Sequence, residues 1–325
     1  MLFSVLLACA ATPPPTPLEQ SPDPAAAVAE RLERDAPEGV LASIAVIHGQ
    51  EVQLLGEPER LYELGSISKV FNAWLLATLE QEGVLSEEDL LSEHYPVVPQ
   101  GDGAQIRLKH LASHSSGLSR LPGDMSTMYL LRNAANPYVD YNAEMLQAAV
   151  ADAKVKDPGS TWAYSNFAAG LLGQVMSDKV GEPWAQALDA RVLAPHGLSG
   201  IGELDPPAGF NAFGEVQPWD FDALASAGSL DGDLNTMVAF SQLWLEPDPS
   251  MASMLSLRFE GEPMNNGLGW IQGEGFWWHN GGTAAYSTFV AVDPERDVAV
   301  VILLNQSSPA VTELGMALMA LERGQ

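Results

Sequence analysis

Strand-like segments lie at both ends of this chain, and this arrangement restricts the folds that it can adopt. Near the N terminus, residues 40–48 and 52–55 form two apolar runs separated by Gly49-Gln50, which is typical of a hairpin. Four further strand candidates follow at hairpin spacing near the C terminus: residues 267–272, 275–280, 284–293 and 298–305. The pattern predicts one antiparallel sheet whose strands come from both chain ends.

A helical region separates the two groups of strands. Helices are predicted over residues 25–35, 66–82, 234–245 and 309–321. Between about residues 85 and 224 the chain contains helical patches and turn signals but few β-branched runs. Because regular alternation of strand and helix is missing, we predict an α+β (mixed α/β) fold. Helices flank the sheet, and a mostly helical domain is inserted at about 85–224.

The sequence Ser66-Ile67-Ser68-Lys69 lies where a strand-like segment meets the long apolar helix. Residues three apart on a helix share a face, so the Lys69 side chain should lie against the Ser66 hydroxyl. A serine hydroxyl is a weak nucleophile at neutral pH and needs a base within hydrogen-bonding distance. If Ser66 opens the helix, its backbone N–H can also stabilise an oxyanion. The same spacing arises by chance, with Ser66 acting only as a helix N-cap, so other segments must decide.

Composition excludes several classes of partner. The 325-residue chain is 46% hydrophobic, which suffices for a sizeable core, and its formal net charge is −27. Such an acidic surface repels nucleic acid and anionic membranes, so we expect no nucleic-acid partner. The six histidines are scattered without an H-E-x-x-H motif, and a single cysteine is present. We therefore expect no metal and no other cofactor.

The first 24 residues are typical of a signal segment followed by a tether. Leu6-Leu7-Ala8-Cys9 follows an apolar run and resembles the lipobox of bacterial lipoproteins, in which the cysteine carries the lipid. A proline-rich stretch over residues 12–24 would then hold the domain, residues 25–325, away from the membrane. The apolar run is too short to span a bilayer and lacks a basic flank, so the resemblance could be accidental. On the lipoprotein interpretation, Cys9 anchors the protein in the bacterial cell envelope, at a periplasmic or extracytoplasmic location.

Later segments support the chemical interpretation of Ser66, because they occur in a familiar order and spacing. They are residues 106–111 with 114–118, residues 157–166 with 171–173, residues 226–230 and residues 278–283. Together with residues 62–71 around Ser66, they resemble the class C β-lactamase-like serine hydrolases. This family includes low-molecular-weight penicillin-binding proteins, D-amino peptidases and lactamase-like esterases. The resemblance runs from about residue 26 to the end and implies the β-lactamase/transpeptidase fold.

The resemblance also implies a role for each residue near Ser66. Ser66 is the nucleophile, and its proton passes to Lys69 or to Tyr164; the sequence does not choose between them. The phenol of Tyr164 has an ordinary pKa of about 10 and acts as a base only near positive charge, for which Lys69 is the obvious source. Asn166 offers an amide that can hydrogen-bond a substrate carbonyl and Lys69 together. His110 and His114 are expected to be structural.

The segment His279-Asn280-Gly281-Gly282 is expected along an edge strand that flanks the cleft. Its glycines allow close approach by a substrate, and by family resemblance the Gly282 N–H is the second oxyanion donor. His279 and Asn280 stand where many β-lactamases have Lys and Thr. Because a neutral imidazole supplies less positive field, we expect carboxylate-bearing antibiotics to bind poorly and esters or peptides to be better substrates.

The sequence therefore predicts a monomeric serine hydrolase that forms an acyl-enzyme at Ser66. Its substrate would be a small molecule or peptide with an ester, amide or lactam carbonyl. A D-Ala-D-Ala carboxypeptidase and a true β-lactamase are alternatives. A non-catalytic envelope lipoprotein that retains the fold is a further alternative, although the intact set of site residues argues against it.

Overall fold

A computed structural model describes residues 17–125, 129 and 136–324 of the chain. The strands in this part are β1 (Ala42–His48), β2 (Glu51–Leu55), β3 (Tyr62–Glu63), β4 (Gln100–Gly101), β5 (Lys154–Val155), β6 (Ile201–Gly202), β7 (Gly209–Asn211), β8 (Gly214–Val216), β9 (Asp231–Gly232), β10 (Ile271–Gln272), β11 (Trp277–Gly282), β12 (Ser287–Asp293) and β13 (Val298–Leu304). The α-helices with described bounds are α1 (Pro24–Glu33), α2 (Ser68–Gln81), α3 (Leu91–His94), α4 (Leu108–Ala112), α5 (Ala143–Asp152), α6 (Asn166–Val180), α7 (Trp184–Leu188), α8 (Leu234–Leu245), α9 (Pro249–Met254) and α10 (Ala310–Glu322).

Six strands form one antiparallel sheet in the order β10-β11-β12-β13-β1-β2. Strand β1 pairs with β13 along its whole length, from Ala42 opposite Leu304 to His48 opposite Val298. The hairpin at Gly49-Gln50 then adds β2 to the sheet. The prediction of a sheet assembled from both chain ends is confirmed, and the centre of the sheet forms only when the two ends meet.

Alternation along the strands gives the sheet two apolar faces. On β13, Ile302 packs in a cluster with Val28 of α1 and Leu318 of α10. Its neighbour Val301 points to the opposite face and belongs to the larger cluster that includes Phe240 of α8. Each fully buried side chain of this size stabilises the fold by about 1.5–3 kcal/mol relative to exposure, so both helical layers are anchored on the sheet.

Helix α2 lies in the interior, and this placement decides the environment of its first turn. Residues 68–77 are all buried, as expected for a helix that is covered on every side. A 3₁₀ turn, Gly65–Ile67, precedes the helix and contains Ser66. The predicted helix over residues 66–82 is therefore present, with Ser66 in the turn that leads into it.

Two details of chain organisation differ from the prediction. Leu18 lies in a 3₁₀ turn, is only 4% exposed and packs in the cluster formed by α1 and α10, while Pro24 begins α1. The expectation of an extended tether is therefore wrong for residues 17–24, because an apolar side chain there is buried on the domain.

Cys9 and residues 1–16 lie outside the described residues. None of the described helices combines the length and apolar character that a membrane span requires.

The predicted strand over residues 267–272 is mostly a loop, since only Ile271–Gln272 pair with β11. Gly269 has φ +75°, and a Cβ there would lie 3.0 Å from the Lys69 carbonyl oxygen. The chain leaves the sheet because its backbone packs directly against α2. Between residues 85 and 224, helices α3–α7 predominate, accompanied by the short strands β4–β8.

Candidate active site

The turn that holds Ser66 is fixed by hydrogen bonds from two sides. The Leu64 N–H donates to the Leu230 carbonyl at 2.8 Å, and Thr288 Oγ1 of β12 donates to the Leu64 carbonyl at 2.9 Å. Gly65 adopts φ +55°, a left-handed conformation that glycine accepts without strain. Ser66 itself remains half-buried, with its hydroxyl on the wall of a cavity.

The same turn lies directly against the end of β11. A Cβ added to Gly65 would be 2.8 Å from the Gly282 backbone nitrogen, and one added to Gly281 would be 1.9 Å from the Leu64 carbonyl oxygen. Only glycine permits backbones to approach this closely. The Gly282 nitrogen is therefore beside the nucleophile turn, where the sequence analysis expected an oxyanion donor.

Lys69 is buried and contacts the candidate nucleophile. Its Nζ lies 3.0 Å from Ser66 Oγ and 2.6 Å from the Ala227 carbonyl oxygen. Burial, together with the nearby positive charge of Arg120, lowers the pKa of Lys69 well below its ordinary value. A neutral amine can accept the Ser66 proton, which an ammonium cannot.

Tyr164 lies at the same cavity with its ring close to two basic side chains. Lys69 Nζ is 4.9 Å and Arg120 Cζ is 5.0 Å from the ring centroid. Burial nevertheless raises the pKa of Tyr164 above its ordinary value, against the smaller lowering effects of a hydrogen bond with Ser66 and the charge of Arg120. The positive charge that lowers the pKa of Tyr164 comes from Arg120, and the opposing effect of burial is larger. Tyr164 therefore keeps its proton.

Residues 114–120, which follow α4, hold Tyr164 in place. The Ser165 N–H donates to His114 Nδ1 at 3.1 Å, and the Asn166 N–H donates to the Arg120 carbonyl at 2.9 Å. The His114 ring lies 4.3 Å from the Tyr164 ring, centroid to centroid. Burial lowers the pKa of His114 well below its ordinary value, so its neutral ring accepts the hydrogen bond. These contacts give His114 a structural role.

Asn166 is the first residue of helix α6, and its amide is hydrogen-bonded to Tyr138 rather than to Lys69. Its Nδ2 donates to the Tyr138 hydroxyl at 3.2 Å, and its Oδ1 is buried without a hydrogen-bond partner among the described residues. The expected contact between Asn166 and Lys69 is therefore not formed in this structure, because the hydrogen bonds of Lys69 go to Ser66 and Ala227.

Residues 279–282, the glycine-containing segment expected to flank the cleft, form the last part of strand β11. Strand β10 pairs only with Trp277 and Trp278, so within the described chain residues 279–282 have no strand on their outer side. His279 is 1% exposed, and burial lowers its pKa to about 3, so it is neutral. Its Nδ1 lies 2.7 Å from the Asn280 carbonyl oxygen, whereas Asn280 Nδ2 donates to Thr312 Oγ1 at 2.8 Å.

A cavity of about 650 Å³ brings these groups together. Of the residues predicted from sequence, its wall contains Ser66, Tyr164, Asn280, Gly281 and Gly282. Lys69 and His279 lie buried behind the wall, and Asn166 is directed toward Tyr138.

Arg120 also lines the cavity, and the sequence analysis did not identify it. It lies just after the matched segment 114–118, and that position was the only signal that could have drawn attention to it.

One further cluster of possible ligands lies outside the cavity. Asp89, Glu93 and His94 bring one ligand atom each within 4.8 Å of the others. Asp89 Oδ2 lies 2.9 Å from His94 Nε2 and accepts the Ser86 N–H, while Glu93 Oε2 accepts the Leu90 N–H. These contacts organise the start of α3 and account for the grouping.

The antiparallel sheet is built from both chain ends, and a serine, a lysine and a tyrosine meet at its edge. These features define the class of β-lactamases and penicillin-binding proteins. The sequence model of the Beta-lactamase family matches residues 26–323, and the chain belongs to this family. The predicted family and fold are thereby confirmed.

Individual relatives are distant. Protein flp of Staphylococcus aureus strain MW2 is 25% identical over 286 residues, which cover 79% of this chain and 55% of flp. The chain thus spans about half the length of the curated relatives that it matches. A β-lactamase/D-alanine carboxypeptidase from Pseudomonas syringae superposes with TM-score 0.79 at 18% identity, covering 93% of this chain and 98% of that one. A class C β-lactamase from Rhodobacter sphaeroides gives TM-score 0.77 at 19% identity, covering 91% and 98%.

Proposed function

We propose that this protein is a serine hydrolase that forms an acyl-enzyme at Ser66. The observation that carries the proposal is the 3.0 Å contact between Ser66 Oγ and Lys69 Nζ at the wall of a cavity that Tyr164 also lines. A nucleophile, a base and an acid within hydrogen-bonding reach are the parts that acyl transfer requires.

The shifted pKa values support one order of proton transfers. Burial favours the uncharged amine of Lys69 and the protonated phenol of Tyr164 in the free protein. Lys69 takes the proton of Ser66 as the hydroxyl oxygen attacks the substrate carbonyl. The backbone N–H groups of Ser66 and Gly282 stabilise the oxyanion, and Tyr164 donates its proton to the leaving group.

Water completes the cycle. Lys69 returns the proton that it took to the Tyr164 oxygen, so that both groups regain their starting states. A water molecule then attacks the acyl carbonyl while Lys69 accepts its proton, and that proton passes to the Ser66 oxygen as the acyl bond breaks. The net change is the addition of one water across the ester or amide bond.

The wall formed by β11 favours ester and peptide substrates. His279 is neutral and Asn280 is engaged with Thr312, so this wall offers no cation to a carboxylate. The relatives described above include proteins named as β-lactamases and as a D-alanine carboxypeptidase, and these activities are the alternatives that a substrate panel must separate.

Covalent labelling tests the nucleophile. A fluorophosphonate probe should add to wild-type protein on the peptide that contains Ser66, as located by mass spectrometry after digestion. Ser66→Ala should abolish the adduct and retain the wild-type melting curve, whereas Ser307→Ala, which changes another serine of the cavity wall, should still be labelled. An adduct on a different residue, or one that persists in Ser66→Ala, would refute the assignment.

A substrate panel then separates the alternatives. A nitrophenyl ester, a D-Ala-D-Ala peptide and a chromogenic cephalosporin should be compared with the same protein. Turnover of the cephalosporin with a low KM would overturn the preference for esters and peptides. No turnover of any substrate, together with no Ser66 adduct, would favour a non-catalytic protein.

A further inference from the structure

Glu63 is a buried acidic residue beside the nucleophile turn, and the proposed mechanism does not use it. It lies in β3, just before the turn that holds Ser66, and is only 3% exposed. Each carboxylate oxygen accepts a hydrogen bond from a different segment. Oε1 accepts the Trp219 N–H at 2.7 Å, and Oε2 accepts the hydroxyl of Thr283 at 2.6 Å. Because a carboxylate is costly to bury, these partners indicate which segments Glu63 holds together.

Thr283 closes the hairpin between β11 and β12. Its N–H donates to the Tyr286 carbonyl at 3.0 Å, and its Oγ1 accepts the Tyr286 N–H at 3.2 Å. The hydroxyl proton is therefore left to donate to Glu63. Glu63 thus connects the strand before the nucleophile to the first residue beyond β11.

The same hairpin sets the direction of the Gly282 N–H. In antiparallel strands, hydrogen-bonded pairs of residues alternate with pairs that exchange no hydrogen bond. The Thr283–Tyr286 pair is hydrogen-bonded, so the adjacent pair, Gly282 opposite Ser287, is of the second kind. The Gly282 N–H therefore points away from β12, toward the outer side of β11, where no strand of the described chain pairs with residues 279–282.

The two oxyanion donors of the proposed mechanism belong to different segments. The Ser66 N–H is part of the 3₁₀ turn, whereas the Gly282 N–H is part of β11. An oxyanion hole requires both donors at about 2.7–3.1 Å from one oxygen atom, so the separation of these segments must be fixed. The hydrogen bond between Glu63 and Thr283 joins the two segments next to both donors.

We propose that Glu63 is a positioning residue, which holds the Gly282 N–H at the correct distance from the Ser66 N–H through its hydrogen bond to Thr283. The proposal rests on the proposed serine hydrolase function and adds a residue that acts on the oxyanion hole without touching the substrate. The contact with Trp219 supports this role, because it occupies the second oxygen and so fixes the orientation of the carboxylate.

The contact between Glu63 and Thr283 is suited to this task because it is short and shielded. Its length of 2.6 Å lies in the range of charge-assisted O–H···O hydrogen bonds, which are roughly twice as strong as neutral ones. Both side chains are buried, so water does not compete for the bond.

Two esters that differ in one atom test the position of the oxyanion donors. The para-nitrophenyl ester of acetic acid and its thiono analogue, in which sulfur replaces the carbonyl oxygen, release the same leaving group. Sulfur is larger and a weaker hydrogen-bond acceptor, so only the oxygen ester benefits fully from correctly placed N–H groups. The ratio of their kcat/KM values, oxygen ester over thiono ester, therefore reports the geometry of the hole. A change in the folded fraction alters both values equally and leaves the ratio unchanged.

Glu63→Gln and Thr283→Val disrupt the proposed contact from its two ends. In Glu63→Gln the Trp219 N–H takes the remaining oxygen, so an NH₂ group faces the donating hydroxyl. Thr283→Ser keeps the hydroxyl, and Ser241→Ala is the matched control, because it removes a buried hydroxyl that donates to the Met237 carbonyl within α8. We expect the ratio to fall at least about tenfold in Glu63→Gln and in Thr283→Val, to stay within about twofold of wild type in Thr283→Ser and to be unchanged in Ser241→Ala.

The double variant Glu63→Gln with Thr283→Val tests whether Glu63 acts through Thr283. Because the two residues share one hydrogen bond, the double variant should have the same ratio as Thr283→Val alone. Effects that multiply in the double variant overturn the proposal. So does an unchanged ratio in Glu63→Gln, a fall in Thr283→Ser as large as that in Thr283→Val, or an equal fall in Ser241→Ala.

Labelling with a fluorophosphonate separates this failure from a wider one. If Ser66 of the wild-type protein is labelled but the ratio does not depend on Glu63 or Thr283, only the positioning proposal is wrong. If Ser66 of the wild-type protein is not labelled, the serine hydrolase function itself is wrong.

Discussion

The substitution Gly281→Ala should damage the active site by displacing its backbone. A Cβ at this position would lie 1.9 Å from the Leu64 carbonyl oxygen and 2.2 Å from Thr288 Oγ1. Neither atom belongs to the end of a long flexible side chain, and the two are joined by a 2.9 Å hydrogen bond. The nucleophile turn and the sheet must therefore separate. The next residue provides a matched control, because a Cβ on Gly282 would meet nothing within 4 Å.

The size of the displacement sets the expected effect. Contacts of a real Cβ are essentially never shorter than 3.0 Å, so Leu64 and β11 must move apart by roughly 1 Å. Overpacking of this kind costs about 1–3 kcal/mol of folding free energy, which corresponds to a fall in melting temperature of about 2–10 °C. A displacement of about 1 Å next to a nucleophile lowers the rate of reaction about 100-fold.

Thermal melting and labelling kinetics measure the two effects separately. Gly281→Ala should melt at a lower temperature than both wild type and Gly282→Ala, and fluorophosphonate should label its Ser66 more slowly. Neither glycine has a positive φ, so a backbone preference cannot account for a difference between the two variants. If Gly281→Ala melts and reacts like the wild-type protein, or if both variants lose the same stability, the steric argument is wrong.

Two buried titratable groups, Lys69 and Asp231, give further predictions that depend on pH. Because burial and the charge of Arg120 lower the pKa of Lys69, the labelling rate of Ser66 should reach its plateau well below pH 10.5, and Arg120→Gln should shift the acid limb to higher pH. An acid limb near 10.5 that Arg120→Gln does not move would contradict this. Burial and repulsion by Glu63 raise the pKa of Asp231 from 3.8 to about 8, so the folded state holds a proton that the unfolded state releases. The free energy of unfolding should therefore fall as pH rises from about 4 to 8, and Asp231→Asn should remove this slope and stabilise the protein at pH 7 by up to about 4 kcal/mol in urea unfolding. An unchanged slope in Asp231→Asn would show that Asp231 is not the group responsible.

Local sequence patterns were sufficient for most of the fold. The apolar runs of β1 and β13 and the turn at Gly49-Gln50 are short-range signals, and each produced the element expected from it. The pattern was misleading at residues 267–272, where the backbone leaves the sheet to pack on α2. It was also misleading at Leu18, where proline content suggested an extended tether but one apolar side chain is buried on the domain. Both errors arise from contacts between segments distant in sequence, which periodicity does not report.

In the candidate site, too, local spacing predicted some contacts, whereas others depend on segments that are distant in sequence. Three-residue spacing on a helical turn was enough to place the Lys69 amine against the Ser66 hydroxyl. The partner of Asn166, the protonation state of Tyr164 and the presence of Arg120 depend on how separate loops meet. Residue types alone suggested that a lysine near a tyrosine would lower the tyrosine pKa. In the structure the lowering charge comes from Arg120, and burial raises the pKa of Tyr164 overall while it lowers that of Lys69.

The two basic side chains of the site, Lys69 and Arg120, therefore suit different tasks, because one is buried and the other is exposed. Lys69 is 4% exposed, and desolvation favours its neutral form, which is the form that can accept a proton from Ser66. A buried amine of this kind cannot also supply a permanent positive field to a substrate. Arg120 is exposed to the cavity, and a guanidinium offers hydrogen-bond donors but no acceptor atom, so it can bind an anion but cannot act as a base. Accepting a proton and attracting an anion thus require two cationic residue types in two environments. Exchanging the roles, with an exposed lysine and a buried arginine, would leave the serine without a base.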